Sequence, residues 1–456
     1  MKTPSWIPQS NFYHIYPLGM FGAPKKNDFS SPVEYRLDIL YSWLDHLEWL
    51  GVNTIYLGPI FESEKHGYDT MDYFKIDRRL GDETSFKKLA DEIHRRDMRI
   101  ILDGVFNHVG RSHFAFRDVQ MKGQNSDYAS WFAGLEFNRQ SPLGDPFTYA
   151  TWDGHFSLPK LNLKKPTVRE YLLSAVRYWM DTWQIDGLRL DAADCLDFEF
   201  IEDLNKLTKG INPDFWLMGE VVHGNYSNWA KTGHLDSVTN YECYKGLYSS
   251  LNDENYFEIA YALNRQFGPS GIYRDLFLYN FVDNHDVNRI GSQLTNSDHL
   301  FPLYGLLFTM PGVPSVYYGS EWGIPGKRTQ YTDEALRPPV DLNTVMNNGP
   351  FPALPGFIKK LISLRKIYPA LSEGGYEEVL VQHKIFVFRR TLAGKTIYVM
   401  LNASDQEYVL GNIGLSTNSA WKDVLNDEQI NSNQMESLMI PSYSIRILVS
   451  NEISPE

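Results

Sequence analysis

The sequence predicts an α/β chain: a (β/α)8 TIM barrel with a small domain inserted after its third strand, followed by a C-terminal antiparallel β-sandwich. Three observations lead there. Short apolar runs alternate with amphipathic helical stretches up to about residue 372, the signature of βα units and a parallel sheet. That rhythm lapses once, between 109 and 166. Beyond 372 the apolar period becomes two.

The first unit is a strand over 12–17 and a helix over 35–50, where Leu37, Leu40, Trp43, Leu44, Leu47 and Leu50 recur at spacings of three and four. Gly51 stands just past its end, as a helix C-terminus prefers. The strand NTIYLG (53–58), a helix over 85–97 and the strand RIILDGVF (99–106) follow. These strands are apolar on both faces, as barrel strands covered by helices should be. Residues 109–166 are rich in Trp, Phe, Gly, Asn and Ser with little periodicity, which at that length indicates an inserted domain. A helix over 167–183 restarts the pattern, with Val168, Leu172, Ala175, Val176 and Trp179 on one face. Strands follow at DGLRLD (186–191), FWLMGE (215–220), LDSVTN (235–240), FLYNFVDNH (277–285) and PSVYYG (314–319), and the last helix is 357–368. Eight strands at this length indicate a closed barrel with insertions. The segments EEVLVQHKIFVFRRT, TIYVMLNAS and SYSIRILVS then alternate apolar and polar residues between Gly-containing turns. The expected divisions are 1–108 and 167–372 for the barrel, 109–166 for the insertion and 373–456 for the β domain.

A net charge of −13 disfavours nucleic acid and anionic lipid as partners and suits an uncharged substrate. Aromatics reach 14%, enough to fill a core and to supply rings that stack on sugars. Two cysteines, Cys195 and Cys243, build neither a disulfide framework nor a zinc motif. No apolar run is long enough for a signal peptide or a membrane span, so a cytoplasmic protein is expected. The oligomeric state stays open.

Polar residues at the C-terminal ends of barrel strands mark the catalytic face. Four ends stand out: Asp103 with Asn107 and His108; Arg189 with Asp191; Glu220; and His285 with Asp286. Several carboxylates converging on one barrel mouth suit glycoside hydrolysis. One attacks the anomeric carbon ionised, another donates a proton to the leaving oxygen, and repulsion and burial keep one proton in the group. Arg189, two residues before Asp191, shares its face and can hold it ionised.

The segments DGVFNH (103–108), GLRLDAAD (187–194), GEV (219–221) and FVDNHD (281–286) resemble, in order and spacing, the four conserved regions of the α-amylase family. GVNTIYLGPIF (51–61), HGYDTMDYFKID (66–77) and GVPSVYYGSEWG (312–323) extend the resemblance across the barrel. It implies a retaining glycosidase with Asp191 as nucleophile, Glu220 as acid/base and Asp286 as the third carboxylate that binds sugar hydroxyls and strains the ring. It further implies that Arg189 orients the nucleophile, that His108 and His285 hydrogen-bond the sugar, and that Tyr68 stacks on it. Asp103 is expected to hold the barrel mouth together rather than touch substrate.

Within the family, LPKLN (158–162), GEVVH and LDSVTNYECY resemble neopullulanases, cyclomaltodextrinases and maltogenic amylases. Two features differ: the chain begins directly with the barrel, without that group's N-terminal β domain, and Asn284 precedes the His-Asp pair as in ordinary α-amylases. Lys65 stands where exo-acting α-glucosidases of the family place a cleft-blocking Asp. The expected substrates are α-glucan oligosaccharides, with linear maltooligosaccharides ahead of cyclodextrins. The alternatives are a 4-α-glucanotransferase on the same site and a generic starch-degrading α-amylase. No cofactor is expected. Asn107 resembles a calcium ligand, but Cys195 replaces a ligand His and the loop 22–31 offers only Asn27 and Asp28, so calcium should be weakly bound or dispensable.

Overall fold

The computed structural model describes residues 3–450 except 412, 414, 416–419 and 432–436. Eight parallel strands make the barrel: β1 (Phe12–Ile15), β2 (Thr54–Leu57), β3 (Arg99–Gly104), β4 (Gly187–Leu190), β5 (Trp216–Gly219), β6 (Ser237–Val238), β7 (Tyr279–Phe281) and β8 (Val313–Tyr317). They pair in sequence order, and β8 returns to pair with β1. The seam between β6 and β7 is held by a parallel bridge from Thr239 to Tyr279, where the Asn240 amide donates to the Tyr279 carbonyl at 2.9 Å. The barrel is thereby nearly closed.

Strand periodicity sorts side chains into two buried layers. Inward-pointing Phe12, Tyr56, Ile101, Trp216, Met218, Tyr279, Phe281 and Val313 form one cluster inside the barrel, with Ile7 and Trp6 of the N-terminal segment packed against it. The outward residues join the helices in a much larger core. Continuing the inward parity past the apolar layer gives Asp103 after Ile101 and Glu220 after Met218, and on β4 it runs from Arg189 to Asp191. The functional side chains are therefore the next turn of the same pleat.

The strands expected at 235–240 and 277–285 are shorter than their apolar runs, at two and three residues. The rest of each run enters the loops at the C-terminal face, which carry Asn240, His285 and Asp286. A hairpin, Phe61–Ser63 with Thr70–Ile76, follows β2 and was not foreseen. Nor was the helix Phe114–Lys122 inside the segment read as aperiodic. That helix buries only Ala115, Phe116 and Val119 and leaves Phe114 and Met121 exposed, so its apolar stripe is too broken to show in sequence. The insertion also carries a hairpin of Thr151–Trp152 with His155–Pro159.

The C-terminal region forms a six-stranded antiparallel sheet and a two-stranded one with their own core around Val387, Met400, Trp421 and Leu448. It docks on the barrel through the fully buried Arg390, which shares the Leu371 carbonyl with the equally buried Arg365 of the barrel's last helix. Arg390 donates to the carbonyls of Thr309, Leu371 and Gly374, and Arg365 to those of Phe308, Leu371 and Gly312. These carbonyls include helix C-terminal ends, where a cation is favoured. Burial pulls both guanidiniums down to about 9, still cationic at neutral pH. Among the described residues no helix is long and apolar enough to cross a membrane.

Arg390→Met leaves several buried carbonyls without a donor and should cost roughly 2–4 kcal/mol. Urea unfolding would measure it. A loss under about 0.5 kcal/mol would mean that the apolar contacts alone dock the β domain.

Candidate active site

A cleft of about 1320 Å³ opens at the C-terminal face of the barrel. Tyr68, His108, Asp191, Glu220 and Asp286 line it; Arg189 and His285, the other two expected site residues, lie directly beneath that lining, 3% and 2% exposed. The structure thus brings all seven together.

Arg189 is the centre. Its Nη1 donates to Asp103 Oδ1 at 2.9 Å and to Asp191 Oδ1 at 3.0 Å, and its Nη2 contacts Glu220 Oε2 at 2.7 Å. Asp103 also accepts from the hydroxyls of Tyr56 and Tyr68, at 2.9 and 3.0 Å. With those partners and 1% exposure it braces the barrel mouth from below. Two backbone features set the carboxylates in place. Ala192, just after Asp191, is left-handed (φ 44°, ψ 49°), a strained turn for a residue with a Cβ. That turn aims the Ala192 amide at Glu220 Oε2, 3.2 Å away. Gly219 precedes Glu220 because a Cβ there would lie 2.7 Å from the Ala193 Cβ and 2.5 Å from Leu235.

The electrostatics divide the carboxylates. Burial raises Asp191 well above the ordinary range; Arg189 opposes that rise, and Glu220 and Asp103 add to it. Asp286 goes the other way. Desolvation would raise it, but His285 first, then Arg337 and Arg189, outweigh that and hold it well below the ordinary range. The contacts are His285 Nε2 to Asp286 Oδ2 at 2.8 Å and Arg337 Nη2 to Asp286 Oδ1 at 2.9 Å. Burial pushes His108 down to about 3, so it is neutral, and its Nε2 has no partner. The Tyr68 ring stacks on His285 at 5.4 Å with its hydroxyl on His285 Nε2.

Three residues of the site carry no separate signal in the sequence. Arg337 lies in the long loop after β8, 51 positions from Asp286. Tyr241 donates its hydroxyl to Glu220 Oε1 at 3.2 Å and accepts from Asn284 Nδ2 at 3.3 Å. Trp152 stands 5.7 Å from the His108 ring, on the hairpin of the insertion. An arginine before two prolines and a tyrosine at a helix start are the only hints. Among the described residues no group of three or more His, Cys, Asp or Glu is placed to hold a metal ion.

The catalytic-domain model of the α-amylase family, "Alpha amylase, catalytic domain", matches residues 37–351. The chain belongs to the α-amylase family. Neopullulanase 2 of Thermoactinomyces vulgaris is 33% identical over 95% of this chain and 76% of its own length. The intracellular maltogenic amylase of Bacillus subtilis is 30% identical over 92% of this chain and 74% of its own. A solved cyclomaltodextrinase superposes with a TM-score of 0.84 at 27% identity, covering 99% of this chain and 79% of that one. The protein is an α-amylase-family glycosidase of the neopullulanase and cyclomaltodextrinase type, on the family's TIM barrel.

Arg337→Met removes a cation from a depressed carboxylate, so Asp286 should titrate at least about one pH unit higher. Carboxyl carbon-13 NMR across a pH series reads this directly. An unmoved Asp286 would show that His285 and Arg189 hold it down without Arg337.

Proposed function

We propose that the enzyme cleaves α-1,4-glucosidic bonds of maltooligosaccharides with retention, through a covalent glucosyl intermediate on Asp191. The observation that carries this is one guanidinium, Arg189, shared by Asp191 and Glu220. Two carboxylates on one fork suit the separation of about 5 Å in retaining sites better than the ~6.5–9.5 Å of inverting ones. Asp191 attacks C1 as the C1–O bond breaks, and Glu220 gives its proton to the leaving oxygen. Water then attacks C1, Glu220 takes back a proton, and Asp191 departs as carboxylate.

In the empty site burial favours the proton on Asp191, whereas chemistry needs it on Glu220. Substrate supplies the difference. A glycosidic oxygen only accepts hydrogen bonds, so it binds best to the microstate with Glu220 protonated, and binding selects that form. Asp191 then stays ionised against Arg189. Asp286, ionised throughout, receives sugar hydroxyls; neutral His108 offers its free Nε2; Tyr68 gives a stacking face. Arg189 and His285 act through the groups above them as positioning residues.

The same reading divides the chain at 1–108, 109–166, 167–372 and 373–456, of which 1–2, 412, 414, 416–419, 432–436 and 451–456 lie outside the described residues. It places the enzyme in the cytoplasm with small soluble glucans, a view supported by the name of the intracellular Bacillus subtilis relative.

Asp191→Ala and Glu220→Gln should each lower turnover by about three orders of magnitude or more with unchanged circular dichroism. Either variant keeping over about a tenth of wild-type activity would remove it from its role. Because two inversions restore configuration, proton NMR of the first hydrolysate should show the α-anomer; an initial β-anomer would defeat the covalent route.

A further inference from the structure

Glu220 protonates the leaving oxygen, so the leaving part of the substrate lies over Glu220. The glycone therefore runs from Asp191 toward Asp286 and Arg337. On that side three rim loops are stitched together. The loop after β8 packs on the loop after β1: the Val340 amide donates to Met20 O at 3.1 Å, and a Cβ on Gly19 would lie 2.4 Å from Arg337 O. Higher up, Lys25 Nζ meets Glu334 Oε1 at 2.5 Å. The loop after β1 is joined in turn to the hairpin loop after β2. The buried Arg79 donates through Nη1 to both Pro24 O and Lys65 O, at 2.9 and 2.7 Å, and the Asn27 amide donates to Glu64 O at 2.9 Å. Lys25, Lys65, Glu334 and Arg337 all line the cleft.

We propose that these loops form a wall across the glycone end, with Lys25 and Glu334 as its specificity-determining upper course, so that the enzyme removes a short unit of fixed length from non-reducing chain ends and disfavours cyclic glucans. The inference rests on the roles given above to Asp191 and Glu220. The pair is 77% and 58% exposed, so its contribution is steric rather than stabilising. Arg79, bonded also to Asp77 and to the Ser63 hydroxyl, keeps the lower course rigid. A linear chain needs room only for its end. A ring must continue past both sides of the scissile bond, and the wall would close one of them.

Maltoheptaose labelled at its reducing end tests this at initial rates. The wild-type enzyme should give one predominant labelled fragment, and its kcat/KM for β-cyclodextrin should be at least about tenfold below that for maltoheptaose. The double variant K25A/E334A, altered only at exposed side chains, should release additional, longer unlabelled glycone fragments. It should also raise the cyclodextrin-to-maltoheptaose ratio by about threefold or more. Several labelled fragments from wild type at the earliest times, or a variant with the wild-type pattern and ratio, would overturn the wall. No cleavage of maltoheptaose by the wild-type protein would overturn the hydrolytic reading beneath it.

Discussion

The site depends on one buried cation. Arg189 lies inside the barrel with Asp103, Asp191 and Glu220 against its two amino groups. Three carboxylates brought together in a poorly solvated space repel one another, and without a counter-charge they would gather protons or move apart. A guanidinium suits the place because it is planar, always charged and presents donors in a fixed fork. Its cost is its own desolvation, which only complete pairing offsets. Asp103 supplies much of that pairing, and Tyr56 and Tyr68 satisfy its remaining oxygen. The barrel makes this affordable to the fold, because β3, β4 and β5 are adjacent and in register, Asp103 opposite Arg189 and Arg189 opposite Met218. The inward parity of three neighbouring strands thus stacks a charged layer on an apolar one.

Much of this was legible in the sequence because it is local. Arg189 and Asp191 are two positions apart on one strand, and His285 and Asp286 are neighbours, so spacing alone carries their geometry. The helix 40–50 with Gly51 left-handed at its end (φ 97°) follows from the apolar period and the glycine. What spacing could not show was pairing across the fold. Arg337 reaches Asp286 from another loop, Tyr241 reaches Glu220 from the start of the next helix, and Asp103 owes its bracing role to two tyrosines on separate segments. The hairpin after β2 was hidden because its first strand has only three residues and the register shifts on both sides of Glu62. The strand β6 was overestimated because an apolar run does not say where the ladder stops and a functional loop begins.

The pairing pattern also separates two electrostatic tasks. Asp191 and Glu220 share a single cation, so the proton between them can change residence while Arg189 stays bonded to both. A private cation for either would pin the proton on the other and prevent the exchange that the proposed retaining route requires, with one group switching between acid and base. Asp286 has the opposite need in the proposed reaction, since a carboxylate placed to receive sugar hydroxyls must stay ionised whatever its neighbours do. It has its own cation in Arg337, whose guanidinium also lies 4.7 Å from the centre of the Tyr16 ring and so is held in place by a stacking contact. His285 joins the two halves, touching Asp286 and Tyr68, while Tyr68 in turn touches Asp103. The charge of Arg189, which also helps to hold Asp286 down, links the two halves as well. Because His285 and Arg337 also hold Asp286 low, a proton can move between Asp191 and Glu220 in the proposed reaction while Asp286 stays ionised.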